Sequence, residues 1–291
     1  MLFFLILLFL MIFCIIQSIA FVTLLERHLL GSSQIRLGPN KVSFLGLVQA
    51  FLDGVKLLKK RMILPNFSFK MVFILLPTIS FLLMVFYWFI IPFFYYLITF
   101  GYSFLFFFSL IGFSVYPIML SGIFSFSKFS FIGSLRSASQ SISYEITFSF
   151  YMLIFLLFFF CLEMMPLNMF IFFFLILVFF FLILAELNRA PFDFSEGESE
   201  LVSGFNVEFS SVPFVLFFLS EYGILLFFSV FLSIFFFNFS FVFVFVFFFF
   251  IIFVRSCYPR FRYDFLMGLF WFKFLPISLF FYFFYMVFFF F

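Results

Sequence analysis

Apolar stretches of about 20 residues, separated by shorter polar segments, recur along almost the whole chain. A stretch of that length, wound as an α-helix, matches the hydrocarbon core of a bilayer, which is about 30 Å thick. The composition agrees, because 68% of the residues are hydrophobic and only 9% are charged. That is too few charged residues to cover the water-exposed surface of a soluble domain. The sequence therefore predicts an all-α, polytopic integral membrane protein, with residues 1–291 forming a single membrane domain.

About eight of these stretches are expected to span the membrane. They are 2–24, 71–92, 98–122, 143–162, 167–186, 212–235, 237–255 and 270–291. The first resembles the apolar part of a secretory signal, but it lacks a basic N-terminal region and a small-residue cleavage site, so we interpret it as a span. The connections after the odd-numbered spans are long and polar, whereas the connections after the second, fourth and sixth spans are short and almost uncharged.

The positive charges show which connections share a side of the membrane. All fifteen Lys and Arg residues lie in or beside the odd-numbered connections. By the positive-inside rule, that side is the cytoplasm, or the matrix in a mitochondrion, and both termini lie on the opposite side. The charge distribution supports the number of spans, because one missed or additional helix would scatter these residues over both sides.

The first odd connection contains an amphipathic segment, 42–60. Its polar stripe is formed by Gln49, Asp53, Lys56 and Lys60, which recur at i, i+4, i+7 and i+11. Apolar side chains occupy the opposite side: Val48, Phe51, Leu52, Val55 and Leu58. This pattern predicts a helix that lies at the membrane interface, either as a simple anchor or, beside a cavity mouth, as a guide for an amphiphilic ligand.

The connection after the fifth span, the acidic loop 186–211, differs from the other odd connections in charge. Its carboxyl groups, with the acid that opens the loop, are Glu186, Asp193, Glu196, Glu198, Glu200 and Glu208, and the only positive charge is Arg189. Glu196 and Glu200 are four residues apart and repel each other on one helical face if both are ionised, so we expect some of these acids to stay protonated. Such a loop is either an ordinary solvated surface or part of a proton relay. Glu145 and Glu221 favour the relay, because an ionisable residue within a span costs roughly 2.5–3.5 kcal/mol and marks a proton or ligand site by default.

Several kinds of redox and ligand site are excluded by composition. The chain has a single histidine, His28, and its three cysteines stand apart from one another. It therefore cannot build a haem, zinc or iron–sulfur site from the usual ligands, and it has no glycine-rich nucleotide motif. We expect no redox centre, no metal site and no nucleic-acid partner.

Four segments together resemble one family across essentially the whole chain. They are ERHLLGSSQIRLGPNKVSFLGLVQAFLDGVKL (26–57), RSASQSISYEI (136–146), AELNRAPFDFSEGESELVSGFNVEFSSVPFVLFFLSEYG (185–223) and RSCYPRFRYD (255–264). The chain resembles the core subunit 1 family of NADH:ubiquinone oxidoreductase, respiratory complex I, in its mitochondrially encoded form. The 73 Phe residues agree with a T-rich organelle genome that shifts Leu, Val and Ser codons toward Phe.

The resemblance implies a place at the junction of the peripheral and membrane arms of complex I, in the mitochondrial inner membrane, with the odd connections on the matrix side. The chain would form much of the tunnel for a ubiquinone-type quinone. NADH, flavin and iron–sulfur clusters would be bound by partner subunits. The expected partners are the peripheral-arm subunits of the quinone site, the antiporter-like membrane subunits and membrane lipids.

The resemblance also implies roles for individual residues. A charged path for proton coupling would use Glu145, Glu186, Asp193, Glu196, Glu198, Glu200, Glu208 and Glu221. The quinone tunnel would use Glu26, Arg27, Arg36, Asp53, Lys56 and Arg189, although Arg36 equally fits a simple positive anchor. Three residues of the basic loop 255–269 would bind lipid head groups, pair with the acidic loop or dock a peripheral subunit: Arg255, Arg260 and Arg262.

Two other functions remain open from the residues. One is a secondary transporter or ion channel, which the acids within spans permit, although the sequence shows no repeated halves of the kind that such proteins have. The other is the related membrane subunit of a membrane-bound hydrogenase, against which the T-rich composition argues.

Overall fold

The computed structural model describes residues 2–65, 69–92, 101–159, 162–164, 173–193, 204–238 and 240–290. Within these ranges the chain is helical and contains no strand. The helices are α1 (Leu2–Ser33), α2 (Gln49–Lys59), α3 (Lys70–Trp88), α4 (Ser103–Phe124), α5 (Lys128–Phe159), α6 (Phe173–Glu186), α7 (Ser211–Phe237), α8 (Phe241–Cys257), α9 (Tyr263–Leu269) and α10 (Leu275–Phe290). A π-helical turn, Phe270–Phe274, joins α9 to α10 in one continuous rod.

The all-α polytopic fold is confirmed. Among the described residues, six helices are long and apolar enough to cross a membrane: α1, α3, α4, α5, α7 and the rod formed by α9 and α10. Two shorter apolar helices, α6 and α8, account for the other two predicted stretches. Residues 167–172 of the fifth predicted stretch lie outside the described ranges.

Two helices run beyond the predicted spans because polar residues continue them. The first span was predicted to end at residue 24, but α1 runs to Ser33, so Glu26 and Arg27 belong to a helix and not to a loop. The fourth was predicted to begin at 143, but α5 begins at Lys128. Its first half has low hydropathy because side chains such as Gln140, which is fully buried, face protein and not lipid. Each of these helices has 32 residues and a length of about 48 Å, which exceeds the hydrocarbon core.

The boundaries of two polar segments also need correction. The amphipathic helix is restricted to Gln49–Lys59, because Ser43, Leu45 and Gly46 have positive φ angles that interrupt helical backbone. Its apolar side chains are exposed, as expected of a helix whose apolar face meets lipid. In the basic loop, Arg255 lies in the last turn of α8 and the chain becomes helical again at Tyr263, so only 258–262 is non-helical.

Helix α7 lies at the centre of the bundle and packs against α3, α8 and α1, while α5 packs against α4 and α10. Much of the core consists of Phe rings. Phe231 of α7 stacks on Phe107 of α4 with ring centroids 4.9 Å apart, and Phe148 of α5 stacks on Phe179 of α6 at 5.2 Å. All four rings are buried, so these Phe residues hold the helices together whatever the origin of the compositional bias.

The odd-numbered connections meet at one end of the bundle. The Ile63 N–H, before α3, donates to Ser210 Oγ, before α7, at 2.9 Å. The ring of Phe69, also before α3, lies 6.3 Å from that of Phe126, which lies between α4 and α5. Ser139 of α5 and Tyr263 of α9 share a hydroxyl hydrogen bond of 2.8 Å. The charged connections are therefore close enough to build one site.

Candidate functional site

A largely buried ion cluster joins α1, the loop after α6 and α8 near this end of the bundle. The Arg189 Nη1 donates to Glu26 Oε1 at 3.0 Å, and the Arg255 Nη1 donates to the same oxygen. Glu26 comes from α1, Arg189 from the loop after α6 and Arg255 from the last turn of α8. Glu26 is only 3% exposed. With two guanidinium groups on one carboxylate, the cluster carries a net charge of about +1.

The guanidinium of Arg189 is held on a second side by an aromatic ring. Its Cζ atom lies 4.4 Å from the centroid of the Tyr222 ring in α7, which is a cation–π contact. Burial disfavours the charged form of Arg189 and is the largest single effect, but Glu26 and Tyr222 together outweigh it and raise the pKa of the guanidinium above its ordinary value. Arg189 is therefore a permanent positive charge in a low-dielectric position.

The loop that carries Arg189 is docked onto the segment after α8. Asp193 Oδ2 pairs with Arg260 Nη2 at 3.1 Å, and the Phe261 N–H donates to the Pro191 carbonyl at 3.1 Å. At the other end of the loop, Asn188 adopts a left-handed backbone with φ of 48°, which Asn tolerates better than most residues, and so ends α6. The pairing of Asp193 with Arg260 is one of the alternatives that the sequence left open for the basic residues.

A cavity of about 290 Å³ lies between α3, α4, α5, α7 and this loop. Its ionisable lining residues are Glu186, Arg189, Asp193, Glu221 and Arg255. Its hydroxyl-bearing lining residues are Ser80, Ser114, Ser137, Ser141, Tyr144, Ser220 and Tyr222. Leu83, Val115, Phe217 and other apolar side chains complete the wall. A partly open space with both charges and hydroxyl groups is suited to hold ordered water or the polar part of a ligand.

The serines of the cavity wall fit into apolar helices because each donates its hydroxyl hydrogen along its own helix. Ser80 donates to Pro77 O at 2.8 Å and Ser220 to Phe217 O at 2.7 Å. The lone pairs of each hydroxyl stay available for a further donor. The two Oγ atoms lie 3.5 Å apart, so α3 and α7 present a paired polar surface inside the bundle.

The structure brings many of the predicted site residues together and leaves others apart. Glu186, Arg189, Asp193, Glu221 and Arg255 line the cavity, and Glu26 lies directly behind two of them. Glu145 does not line the cavity, and one of its carboxyl oxygens is buried without a hydrogen bond to any described residue. Glu208 is half-buried between a short 3₁₀ turn, Gly204–Asn206, and α7. Glu196, Glu198 and Glu200 lie outside the described residues.

The remaining predicted residues lie on the exposed rim. Arg27 of α1 and Asp53 of α2 form an ion pair of 3.0 Å beside a minor cleft, with both side chains about half exposed. Arg36 is exposed and its Nε donates to the Gln34 side chain at 2.8 Å. Lys56, on α2, and Arg262, just before α9, are exposed.

Sequence reasoning missed the neutral residues that organise the charges. Tyr222, Asn188, Gln140 and the cavity serines carry no charge and stand in segments that read as spans or turns. One available signal was the density of Ser and Gln between 130 and 143, which is unusual for a span and indicates a helix that faces protein. In the described part of the chain, no group of three or more His, Cys, Asp or Glu side chains is placed to hold a metal ion.

Comparison with known proteins shows which family has this arrangement. A sequence model of the family described as NADH dehydrogenase matches residues 6–286. A protein from Artemia franciscana named NADH-ubiquinone oxidoreductase chain 1 is 43% identical over 288 residues, which covers 93% of this chain and 94% of that protein. Proteins of the same name from Aedes aegypti, at 42% identity (93% of this chain, 91% of the relative), and from Heterololigo bleekeri, at 39% (91% of each), are similar over comparable lengths. This chain therefore belongs to the NADH dehydrogenase family, together with these chain 1 proteins.

Proposed function

We propose that this chain is a membrane subunit of proton-translocating NADH:ubiquinone oxidoreductase, and that it forms the quinone-binding tunnel and couples quinone reduction to proton movement. The observation that carries the proposal is the cavity. Its wall contains both the arginines of the Glu26 cluster and the membrane acids Glu186 and Glu221. A charge change at the arginines therefore acts electrostatically on acids that line the same space.

The charge of the Glu26 cluster, which consists of Glu26, Arg189 and Arg255, supports a quinone site. Quinone reduction to quinol takes two electrons and two protons, and negative charge develops whenever an electron arrives before its proton. The cluster has a net positive charge, and preorganised positive charge of this kind stabilises such a species. The exposed charges Arg27, Arg36, Asp53 and Lys56, beside the apolar face of α2, form the mouth where an amphiphilic quinone enters.

The acids and hydroxyl groups of the cavity support a proton path. At about 10 Å and an effective dielectric constant near 20, one added negative charge changes the energy of a carboxylate by about 1.7 kcal/mol. That energy moves a proton equilibrium by a little over one pKa unit. Glu186 and Glu221 take up or release protons in response, and the serine and tyrosine hydroxyls with water between them carry the protons. Glu145 accepts protons from the cavity and passes them on, and the acids of the acidic loop form the rest of the proton path.

Electrons reach the quinone from NADH through flavin and iron–sulfur clusters in partner subunits. The peripheral-arm subunits of the quinone site dock at the end of the bundle where the odd connections meet, and the antiporter-like subunits receive the coupling signal in the membrane. This end faces the matrix when the chain lies in the mitochondrial inner membrane, because it carries the Lys and Arg residues. The names of the relatives favour this function over a hydrogenase subunit or a transporter.

The proposal is tested by the Glu186→Gln variant in membranes that contain the assembled complex. We expect inhibitor-sensitive NADH:quinone reductase activity, or the proton pumping that accompanies it, to fall at least tenfold. NADH oxidation by an artificial acceptor that needs only the peripheral arm should stay unchanged. Glu163→Gln is the matched control, because Glu163 is an exposed acid in the connection after α5, at the opposite end of the bundle. Normal quinone reduction and pumping in the Glu186 variant would contradict the proposal.

A further inference from the structure

One side chain of α5 holds both ends of the loop that follows α6. The Gln140 Nε2 donates one hydrogen bond to the Ala185 carbonyl at 3.1 Å and another to the Phe192 carbonyl at 3.0 Å. Gln140 is completely buried. The two carbonyls flank the segment that begins with Glu186, contains Arg189 and is followed by Asp193. The two N–H groups of a single amide therefore hold the two ends of this loop together. We call these ends, Ala185 and Phe192, the neck of the loop.

The first end of the loop has little else to hold it. The last carbonyls of a helix lack helical partners, and among the described residues Ala185 O accepts only a 3.2 Å bond from the Asn188 N–H apart from the bond from Gln140. At the second end, the buried Phe192 ring also stacks on Phe261, with ring centroids 5.7 Å apart, and Pro191 O accepts from the Phe261 N–H. The charged contacts of the loop are made by Arg189 with Glu26 and by Asp193 with Arg260. Where those charges lie thus depends on how the neck is held.

We propose that Gln140 is a positioning residue of the quinone-reducing complex, whose amide donors hold this loop so that Arg189 reaches Glu26 and Asp193 reaches Arg260. The inference rests on the proposed function of the cavity, because it assigns Gln140 a role in placing the charges of that cavity. Gln140 itself is not part of the cavity wall, so it acts through the loop and not on the quinone.

The donor groups of Gln140 carry this role. Its Oε1 is buried and has no hydrogen-bond partner in the described part of the chain, whereas both N–H donors are used. A Glu side chain has nearly the same shape as Gln but a different donor capacity. The protonated carboxyl donates one O–H, and the ionised carboxylate donates none and repels both carbonyl oxygens. In the Gln140→Glu variant, the hydrogen bonding that holds the neck of the loop therefore depends on pH.

The experiment compares Gln140→Glu and Gln140→Leu with wild type in membranes that contain the assembled complex. Quinone reductase activity is divided by artificial-acceptor activity, so that differences in the amount of complex cancel. Gln140→Leu removes both hydrogen bonds and should lower this ratio roughly tenfold at every pH, because each such bond contributes only modestly to the net free energy. Gln140→Glu should approach wild type at low pH and fall toward the Leu variant as pH rises through the ionisation of the new carboxyl group.

The native ionisable groups are the same in all three proteins, so the comparison between the two variants isolates the new group. These groups include Tyr144 and Glu145 on α5, Glu186, Arg189 and Asp193 in and beside the loop, and Arg260, Arg262 and Tyr263 on the segment packed against it. Ser139→Ala is the matched control, because Ser139 adjoins Gln140 but bonds to Tyr263 and not to the loop. It should show the wild-type ratio and the wild-type pH profile.

A wild-type ratio in both Gln140 variants would overturn the inference. Equal, pH-independent losses of the activity ratio in both variants would also overturn it, because they indicate a packing role. Failure of both variants to assemble into the complex would overturn it as well. Glu186→Gln, measured in parallel, separates this inference from the proposed function. If Glu186→Gln lowers proton pumping but the Gln140 variants do not differ from wild type, only the inference about Gln140 fails. If Glu186→Gln is silent, the proposed function fails.

Discussion

The guanidinium of Arg189 lies 3.0 Å from the carboxylate of Glu26, and this contact ties the loop after α6 to the first membrane-spanning helix. Both side chains are almost completely buried, and Arg255 of α8 shares the same carboxylate oxygen. Glu26 therefore neutralises two cations, the buried Arg189 and the half-exposed Arg255, that come from segments far apart in the sequence.

Replacement of Glu26 by Gln should destabilise the protein strongly. The variant keeps the shape of the side chain but leaves two guanidinium groups without a carboxylate, and an uncompensated buried charge costs about 3–5 kcal/mol. We expect less assembled complex, and loss of the remaining complex at a lower temperature, as measured by native gel electrophoresis after heating. Wild-type thermal stability in this variant would show that the cluster does not hold the helices together.

Replacement of Asp53 by Asn should have a much smaller effect on stability. Arg27 and Asp53 are as close as Arg189 and Glu26, but their side chains are 54% and 45% exposed, and an exposed ion pair contributes about 0–1 kcal/mol. The same heating experiment should give a nearly unchanged profile. If this exposed pair belongs to the tunnel mouth as proposed, the apparent KM for quinone should rise while the complex remains assembled.

Phe residues should divide into two classes by their burial. Phe107 is fully buried and its ring lies within 6 Å of those of Phe148, Phe227 and Phe231, so Phe107→Ala removes a large part of the core and should cost about 3–5 kcal/mol. Phe280 is 67% exposed, so Phe280→Ala should leave the stability of the complex close to that of wild type. Thermal inactivation of the two variants measures the difference. Equal losses would mean that buried and exposed rings stabilise the fold alike.

The paired serines of the cavity should be needed for proton movement and not for folding. Ser80→Ala combined with Ser220→Ala removes two facing hydroxyl groups from the wall but leaves the helices intact. We expect the initial rate of proton pumping to fall several-fold, measured with a pH-sensitive dye in sealed vesicles. Ser109→Ala is the control, because Ser109 makes the same bond along its helix, to Phe106 O, but faces outward. An unchanged pumping rate in the double variant would exclude the hydroxyl groups from the path.

The membrane fold was predictable because hydropathy and charge act over whole segments. Apolar stretches required helices, and the Lys and Arg residues predicted that the odd connections share one side. The Ile63–Ser210 hydrogen bond joins two of these connections, as that prediction requires. The ends of α1 and α5 were not predictable in this way. Their polar residues, such as Gln140, are buried against protein, and hydropathy cannot distinguish a protein-facing polar residue from one in a loop.

The candidate site was predictable in its charges but not in its pairings. Glu145 and Glu221 stood out because acids are costly in membranes, and Glu186 stood out as the acid that opens the acidic loop. Arg189 stood out as the one cation of that loop. The choice of Glu26 as the partner of both Arg189 and Arg255 depends on where three helices end relative to one another, which the local sequence does not contain. Neutral residues such as Tyr222 and Gln140 escaped notice because their role is visible only through the atoms that they contact.

The most direct test of coupling through the cavity is the number of protons pumped per NADH oxidised, measured in sealed vesicles that carry Glu221→Gln. Glu221 lines the cavity from α7, and the loss of its ionisable group should lower the ratio of protons to NADH while artificial-acceptor activity stays normal. Glu163→Gln should keep the wild-type ratio. A wild-type ratio in the Glu221 variant, with quinone reduction also normal, would contradict a proton path through this cavity.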